Sequence, residues 1–298
     1  MGSSMTVASD SHGWMYDRSF RAFEFDFSVR SDLQDAPEAL DRLLGPFRTD
    51  GADGGGPVYA LTRGTSGSKP PAEGAWYELF LDGDSIQRVA NPGSMVDWLV
   101  ADLSRRAIES TDRFVAVHAG VVSLDGLAAV LPAAPGAGKT TLTAGLTRAG
   151  FSFLSDEVAA IDPETARVHP FPRPILMDTT SMDVLDGLRD RLPPVYEGFR
   201  LQRFHLAPDD LRIGALGDPC RIGVIVAPAY GRGTETRLEP MGRAETLMHL
   251  ANCTFNLDRF RGEGFEALAR VASDCPGYRL AIGDLRSAIS VVSDLLRP

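Results

Sequence analysis

Apolar Phe23, Phe25, Phe27 and Val29 alternate with Glu24, Asp26 and Ser28, a period of two that predicts a strand with one wet face. A short helix is expected at Pro37–Leu44, and a strand at Pro57–Leu61 between Gly/Ser/Pro-rich loops at Thr49–Gly56 and Thr62–Gly74. Trp76–Leu81 and Ser85–Ala90, joined through Asp82, Gly83 and Asp84, read as a hairpin. From about Gly93 to Glu109 the residues Met95, Leu99, Leu103 and Ala107 fall on one helical stripe. The first 18 residues show no period, and 1–20 is expected to lack regular structure.

The middle of the chain alternates between the two periods: strand Arg113–Leu124, turn Asp125–Gly126, strand Leu127–Leu131, a loop, helix Thr140–Ala149 and strand Phe151–Ser155. Beyond it come Pro-rich Pro170–Pro174, a helix near Ser181–Leu188, an irregular basic stretch to about Arg212 and an apolar strand Ile222–Ala227. Helices at Arg243–Ala251 and Gly264–Ser273, a strand at Tyr278–Ile282 and a helix at Leu285–Leu296 close the chain, with no internal repeat. The expected organisation is an N-terminal α+β region over 21–110 and an α/β catalytic domain with a mixed sheet over 111–298.

Charge narrows the partners. Thirty Lys and Arg against 40 Asp and Glu give a formal net charge of -10, a field that repels nucleic acid. No charge-free run exceeds the 12 residues of Leu127–Gly138, whereas a membrane span needs about 20 apolar residues, so no membrane is expected. The cysteines Cys220, Cys253 and Cys275 are odd in number and widely spaced, which gives neither a disulfide framework nor zinc spacing, and the cytoplasm is the expected location. His169, His205 and His249 share no metal-ligand spacing with a cysteine or an acid.

The chemistry concentrates in Ala133-Ala134-Pro135-Gly136-Ala137-Gly138-Lys139-Thr140-Thr141, which follows an apolar strand and opens a helix, the context of a phosphate-binding loop. Gly136 and Gly138 let backbone amides curl around phosphate oxygens, Lys139 reaches the outer phosphates, Thr140 offers a hydroxyl to magnesium, and the helix start adds its dipole. Alanine stands at 133 where the full pattern has glycine. A two-residue turn at Asp125–Gly126 sets a hairpin register in which His118 falls opposite Ala133, next to the loop; the alternative is a satisfied core histidine. Asp156 and Glu157 end the strand after the loop helix, where strand ends of a parallel sheet share an edge; they are either a metal-holding acid and a proton acceptor or a solvated turn. Pro172 and Pro174 clamp Arg173, as a phosphate-facing guanidinium or as a structural turn. Arg189, Arg191, Arg200, Arg203 and Arg212 form either a solvated surface or a local acceptor for an acidic peptide.

The segment VHAGVVSLDGLAAVLPAAPGAGKTTLTAGLTRAGFSFLSDE resembles the catalytic core of the HPr kinase/phosphorylase family and its phosphoenolpyruvate-carboxykinase-like P-loop fold, without gaps from His118 through Glu157. It is closer to the HPr-kinase-related branch, often found beside peptide-modification genes, whose Pro-Arg-Pro is matched by Pro172-Arg173-Pro174. The resemblance covers roughly 75–298, with weaker echoes at Cys253-Thr254-Phe255-Asn256 and Gly277–Leu285. It implies His118 and Lys139 as active-site residues, Thr140 as a magnesium ligand, Glu157 as general base and Asp156 as its metal- or water-holding partner. Glu157 replaces the family's aspartate, and Met177–Asp183 lacks its acid followed by Arg-Gly-Leu-Gly.

Together these readings lead to an ATP- and Mg2+-dependent kinase acting on a serine-type hydroxyl of a peptide or protein. Lys139, Asp156, Glu157, His118 and Arg173 are its catalytic residues, and Pro135, Gly136, Ala137, Gly138, Thr140 and Thr141 complete the nucleotide loop. The alternatives are a small-molecule kinase, acting for example on a free amino acid, and a nucleotide-binding regulatory protein. HPr kinases are hexameric, so the resemblance also implies a homo-oligomer.

Overall fold

The computed structural model describes residues 13–49, 55–64, 76–193 and 203–297, without the side chains of Arg203 and Arg261. It is a mixed α/β protein with several sheets. The described residues divide into two compact units. One holds those up to Ser110 with Leu192, Pro193, Arg203 and Phe204; the other holds Thr111–Arg191 and those from His205 onward. Among the described residues no helix is long and apolar enough to cross a membrane.

The first unit is a five-stranded sheet in chain order: β1 (Tyr16–Ala22), β2 (Phe25–Ser31), β3 (Val58–Arg63), β4 (Tyr77–Leu81) and β5 (Asp84–Val89), with helices α1 (Ala36–Leu44) and α2 (Pro92–Ser110). From Tyr16 to Phe20, β1 corrects the expectation of an unstructured 1–20, because Tyr16 and Phe20 are buried and the strand pairs along its whole length with β2; residues 1–12 lie outside the described residues. Its period is hidden by Arg18, which shares the face of Tyr16 but lies over the Tyr16 ring, 5.6 Å from its centroid. Phe23 is not in a strand: at φ 55° it makes the turn between β1 and β2. Phe20 stacks on Phe27 at 5.4 Å, Tyr59 meets Phe27 edge-on, and the Tyr59 hydroxyl donates to Asp102 of α2 at 2.7 Å, giving the buried phenol its partner.

The second unit is built on β6 (Val115–Leu124), β7 (Leu127–Pro132), helix α3 (Lys139–Arg148), β8 (Ser152–Ser155), β9 (Val158–Ile161), β10 (Arg167–His169), β11 (Ile175–Asp178) and helix α4 (Thr179–Val184). In chain order there follow β12 (Arg203–Leu206), whose first two residues are counted with the first unit, then α5 (Pro208–Leu211), β13 (Cys220–Tyr230), β14 (Arg237–Met241), α6 (Arg243–Asn252), α7 (Leu257–Asp274), β15 (Gly277–Ile282) and α8 (Leu285–Leu296). The sheet order is β10-β9-β6-β7-β13-β15-β14, with β8 also on β6. Alternation along β6 sends Val117, Ala119 and Val121 into a core with Leu250 of α6 and with Leu268 and Val271 of α7. Val122, on the other face, joins Leu142, Leu146, Ala288 and Val292 from α3 and α8. Each buried leucine there contributes about 1.5–3 kcal/mol.

That second face also carries Gly120 and His118, two and four positions before Val122. Gly120 allows α3 to lie on β6, since a Cβ there would meet Thr143 Oγ1 at 2.3 Å and Lys139 Cγ at 3.2 Å. The contact fixes the start of α3 beside His118.

Where β7 ends, residues 253–256 take its place beside β6. The His118 N–H donates to the Cys253 carbonyl and the Phe255 N–H to the Ala116 carbonyl. The buried Asn256 amide completes the patch, accepting from Ala116 N at 2.9 Å and donating to the Phe114 carbonyl at 3.0 Å. Asn256→Ala would orphan both backbone groups, and a loss of about 2–3 kcal/mol is expected in urea unfolding; a loss under about 0.5 kcal/mol would contradict this role.

Candidate functional site

β6 runs antiparallel to β7 and β8, while β13 is parallel to β7 and β15 parallel to β13. Strands β7, β8, β13 and β15 therefore point the same way; the C-terminal ends of β7, β13 and β15 meet at one edge of the sheet, near the first residues of β6. A cleft of about 570 Å3 opens there, within the second unit. It receives Ala134, Pro135 and Gly136 after β7, Lys139, Thr140 and Thr141 at the start of α3, and Glu157 after β8. Tyr230, Ile282 and His118 reach it from β13, β15 and β6. Its volume lies in the range of small-molecule sites, about 300–1,000 Å3.

The loop between β7 and α3 curls because Gly136 and Gly138 adopt φ 83° and 86°. At 138 a side chain is excluded twice, by that φ and by Tyr230, whose Cβ lies 3.0 Å from where a Cβ would stand. The Tyr230 N–H donates to the Ala137 carbonyl at 3.1 Å, so Ala137 braces the loop from behind instead of facing the cleft. Gly138 caps α3 without any side-chain bond, which leaves the first amides of a ten-residue helix available to an anion.

His118 does not pair with Ala133 as expected. The hairpin keeps the expected register as far as Ala119 opposite Pro132, but β7 stops there, and His118 is bonded to residue 253 on that side and faces Val158 of β9 on the other. Its ring stays at the cleft, held edge-on by Phe255 at 5.3 Å.

The acid pair is also placed differently from the expectation. The sheet is mixed, and β8 does not end at an edge: β8 and β9 are two pieces of one strand along β6, interrupted at Asp156 and Glu157. Ser155 explains the break, because its buried hydroxyl accepts from Glu157 N at 3.1 Å and Val158 N at 2.9 Å in competition with the ladder. The bend frees the Asp156 carbonyl, to which Lys139 Nζ donates at 2.6 Å.

The side chains form a compact charge cluster. Arg173 Nη2 donates to Glu157 Oε2 at 2.7 Å, and Arg173 Nε stands 3.4 Å from Asp156 Oδ1. His118 Nδ1 lies 3.4 Å from Glu157 Oε1. The Nε–Oδ1 approach is an ion pair without hydrogen-bond alignment, so both atoms are buried with no hydrogen-bond partner. Burial pushes the Asp156 carboxyl up against the pull of Arg173 and Lys139, and it pushes the Lys139 ammonium down against the charges of Asp156 and Glu157. Burial also works to raise Glu157, but the hydrogen bond from His118 and the charges of Arg173 and Lys139 outweigh it and hold the group at about 2.

Arg173 reaches the acids because the Pro-rich segment is pinned to β8. The Phe171 N–H donates to the Leu154 carbonyl, and the Arg173 N–H turns back to the Phe171 carbonyl, both at 2.9 Å. Of the arginine-rich stretch, Arg212 caps α3, donating to the Thr147 and Phe151 carbonyls, which removes it from any acceptor surface. Arg189 pairs with Asp183 at 3.2 Å. The residue Arg200 and the side chain of Arg203 lie outside the described residues. Sequence reasoning missed Asp178, Ser181 and Tyr230, which all line the cleft.

No protein-family model matches the chain. No curated protein matches it either. Among solved structures it is similar to the Hpr(Ser) kinase/phosphatase from Coxiella burnetii, at 12% identity over 61% of this chain and 88% of that one, with a TM-score of 0.31. A superposition this loose carries no argument, and the chemistry of the cleft stands on its own residues.

Those residues fit a triphosphate and a divalent cation. The glycine loop and the uncapped helix start suit phosphate oxygens. Thr140 and Glu157 present oxygens in the cleft, while Asp156, which does not line it, keeps a buried Oδ1 without a hydrogen-bond partner 3.4 Å from Arg173 Nε, a hard donor that would reach a cation only once Arg173 moved away. Among the described residues no cluster of three His, Cys, Asp or Glu forms a metal cage.

Proposed function

We propose that the cleft binds ATP with magnesium and transfers the terminal phosphoryl group to a hydroxyl, that of a serine in a peptide or protein. The observation that carries this reading is the glycine loop opening an uncapped helix in the same cleft as a carboxylate, Glu157.

The amides of Gly136 and of Gly138 to Thr141, with the Lys139 ammonium, hold the β- and γ-phosphates, while Ala137 shapes the loop from behind. Thr140 would hold magnesium, with Asp156 as its carboxylate partner once Arg173 has moved, and the metal would neutralise charge on the phosphates. Glu157 takes the proton of the acceptor hydroxyl as its oxygen bonds to the γ-phosphorus and the bridging P–O bond breaks, leaving ADP. In the structure Arg173 occupies Glu157 Oε2. Proton transfer therefore requires Arg173 to give up that oxygen, and phosphoryl oxygens offer the guanidinium an equivalent bidentate partner. His118 steadies the other side of Glu157.

Incubation with labelled ATP and acidic, serine-containing peptides, read by mass spectrometry, is expected to show one phosphate on a serine. ATP binding without transfer to any hydroxyl would overturn the kinase reading. Glu157→Gln is expected to keep nucleotide affinity within about threefold and to lower turnover by about 10²-fold or more. Asp156→Asn is expected instead to raise the magnesium concentration needed for half-maximal rate. If the two variants exchanged phenotypes, the roles of base and metal ligand would be reversed.

A further inference from the structure

Asp178 lines the cleft and has no task in the chemistry above. It is tied to the phosphate loop through one residue: Thr141, in the first turn of α3, donates its hydroxyl to Ser181 Oγ at 3.1 Å, and the Ser181 N–H donates to Asp178 Oδ1 at 2.7 Å. Asp178 Oδ2 has no partner among the described residues, and the side chain is exposed to the cleft. A carboxylate repels phosphate, so this stretch of wall is unsuited to the phosphates and suited to a group that donates hydrogen bonds. The same cleft is lined by the apolar side chains of Leu176, Val184 and Leu285, with Gly145 of α3 packed against Leu285. The lining thus combines amides and a cation at the loop, a carboxylate with hydroxyls at Asp178 and Ser181, and aliphatic side chains.

A nucleotide presents the matching parts: phosphates, a sugar whose hydroxyls are its donors, and a flat base. The geometry points to Asp178 as the ribose-recognising residue of this cleft, accepting from the 2′- and 3′-hydroxyls while the base lies against Leu176, Val184 and Leu285. The ligand class is a ribonucleoside triphosphate, in preference to its deoxy form. This inference rests on the nucleotide reading above.

Calorimetric titration of the full chain with magnesium and ATP, 2′-deoxy-ATP, 3′-deoxy-ATP or inorganic tripolyphosphate tests it without relying on turnover. The wild-type protein is expected to bind ATP about tenfold more tightly than at least one deoxy analogue, the size of a hydrogen bond to a charged group. In Asp178→Ala that ratio should fall to near one, with tripolyphosphate bound as well as before or better, because a negative charge has gone. Asp178→Asn keeps an oxygen to cap α4 and should give an intermediate ratio, which guards against a folding artefact. Equal wild-type affinity for ATP and both analogues overturns the inference. So does an Asp178→Ala variant that weakens every ligand alike and keeps the ratio. Failure of the underlying reading looks different, since a wild-type protein that binds neither ATP nor tripolyphosphate loses the phosphate loop and Asp178's role with it.

Discussion

Replacing Lys139 by alanine is expected to lower phosphoryl transfer by about 10³-fold or more, the scale of losing a preorganised charge that meets the transition state in a site shielded from water. Lys139 is only 7% exposed, and its ammonium is held at the bend by the Asp156 carbonyl, one residue from Glu157. It is thus placed before any ligand arrives, and no reorganisation is needed at the moment of reaction. The charges of Asp156 and Glu157 favour the protonated ammonium that burial disfavours. Lys139→Ala should also weaken ATP binding, because Arg173, the other cation of the cluster, is paired with the acids before the nucleotide arrives and can reach the phosphates only by breaking those pairs. Lys139→Met, which fills the same volume without charge, separates the loss of packing from the loss of charge. Stopped-assay measurement of ADP release and titration of ATP would check both effects. Unchanged affinity and turnover in either variant would remove the phosphate-loop assignment.

How far the sequence foretold this site depends on the range over which each feature is determined. The loop and its flanking elements are local: an apolar strand, glycines that adopt positive φ, then a helix with Leu142 and Leu146 on its buried face. Those are legible from spacing alone. The approach of Asp156 and Glu157 is not local. They were expected beside the loop as strand ends of a parallel sheet, whereas β6 lies between β7 and β8 and runs the other way. They are turned out by Ser155, whose hydroxyl competes for two backbone amides, an effect that no period in the sequence displays.

Boundaries failed for identifiable reasons. β13 was expected to stop at Ala227 because Pro228 follows, yet it continues to Tyr230. Its pairing with β7 ends at Ile225, so on that side the missing proline N–H costs no ladder bond. The extension carries Tyr230 against Gly138, a contact that sequence spacing placed out of reach. The glycines at 262 and 264 delayed the expected start of α7, which begins at Leu257, directly after Asn256. α4 was expected at Ser181–Leu188 and runs from Thr179 to Val184. The available signal was Asp178 three residues before Ser181, a side-chain cap for a helix start, and reading it would have placed Asp178 at the mouth of the cleft.

Removing the Arg173 side chain is expected to give the largest stability loss of any substitution at the site, about 3 kcal/mol or more in urea unfolding. The reason is Asp156. Its carboxyl is 1% exposed, its Oδ1 accepts no hydrogen bond, and the guanidinium at 3.4 Å is the leading favourable charge around it. Without Arg173 the chain must bury that carboxylate uncompensated or bind a proton to neutralise it, and either course costs folding free energy. Glu157 should contribute less to the loss, because its side chain is 27% exposed and water can solvate the oxygen that Arg173 releases. The two acids are therefore separable by a double-mutant cycle. Asp156→Asn in the Arg173→Ala background should recover at least half of the lost stability, since an amide needs no counter-ion, whereas Glu157→Gln in the same background should recover little. Additive losses for Arg173→Ala and Asp156→Asn would show that the 3.4 Å approach stores no coupling. The guanidinium would then be held for Glu157 alone, and the stability of the bend would have to come from Ser155 and Lys139.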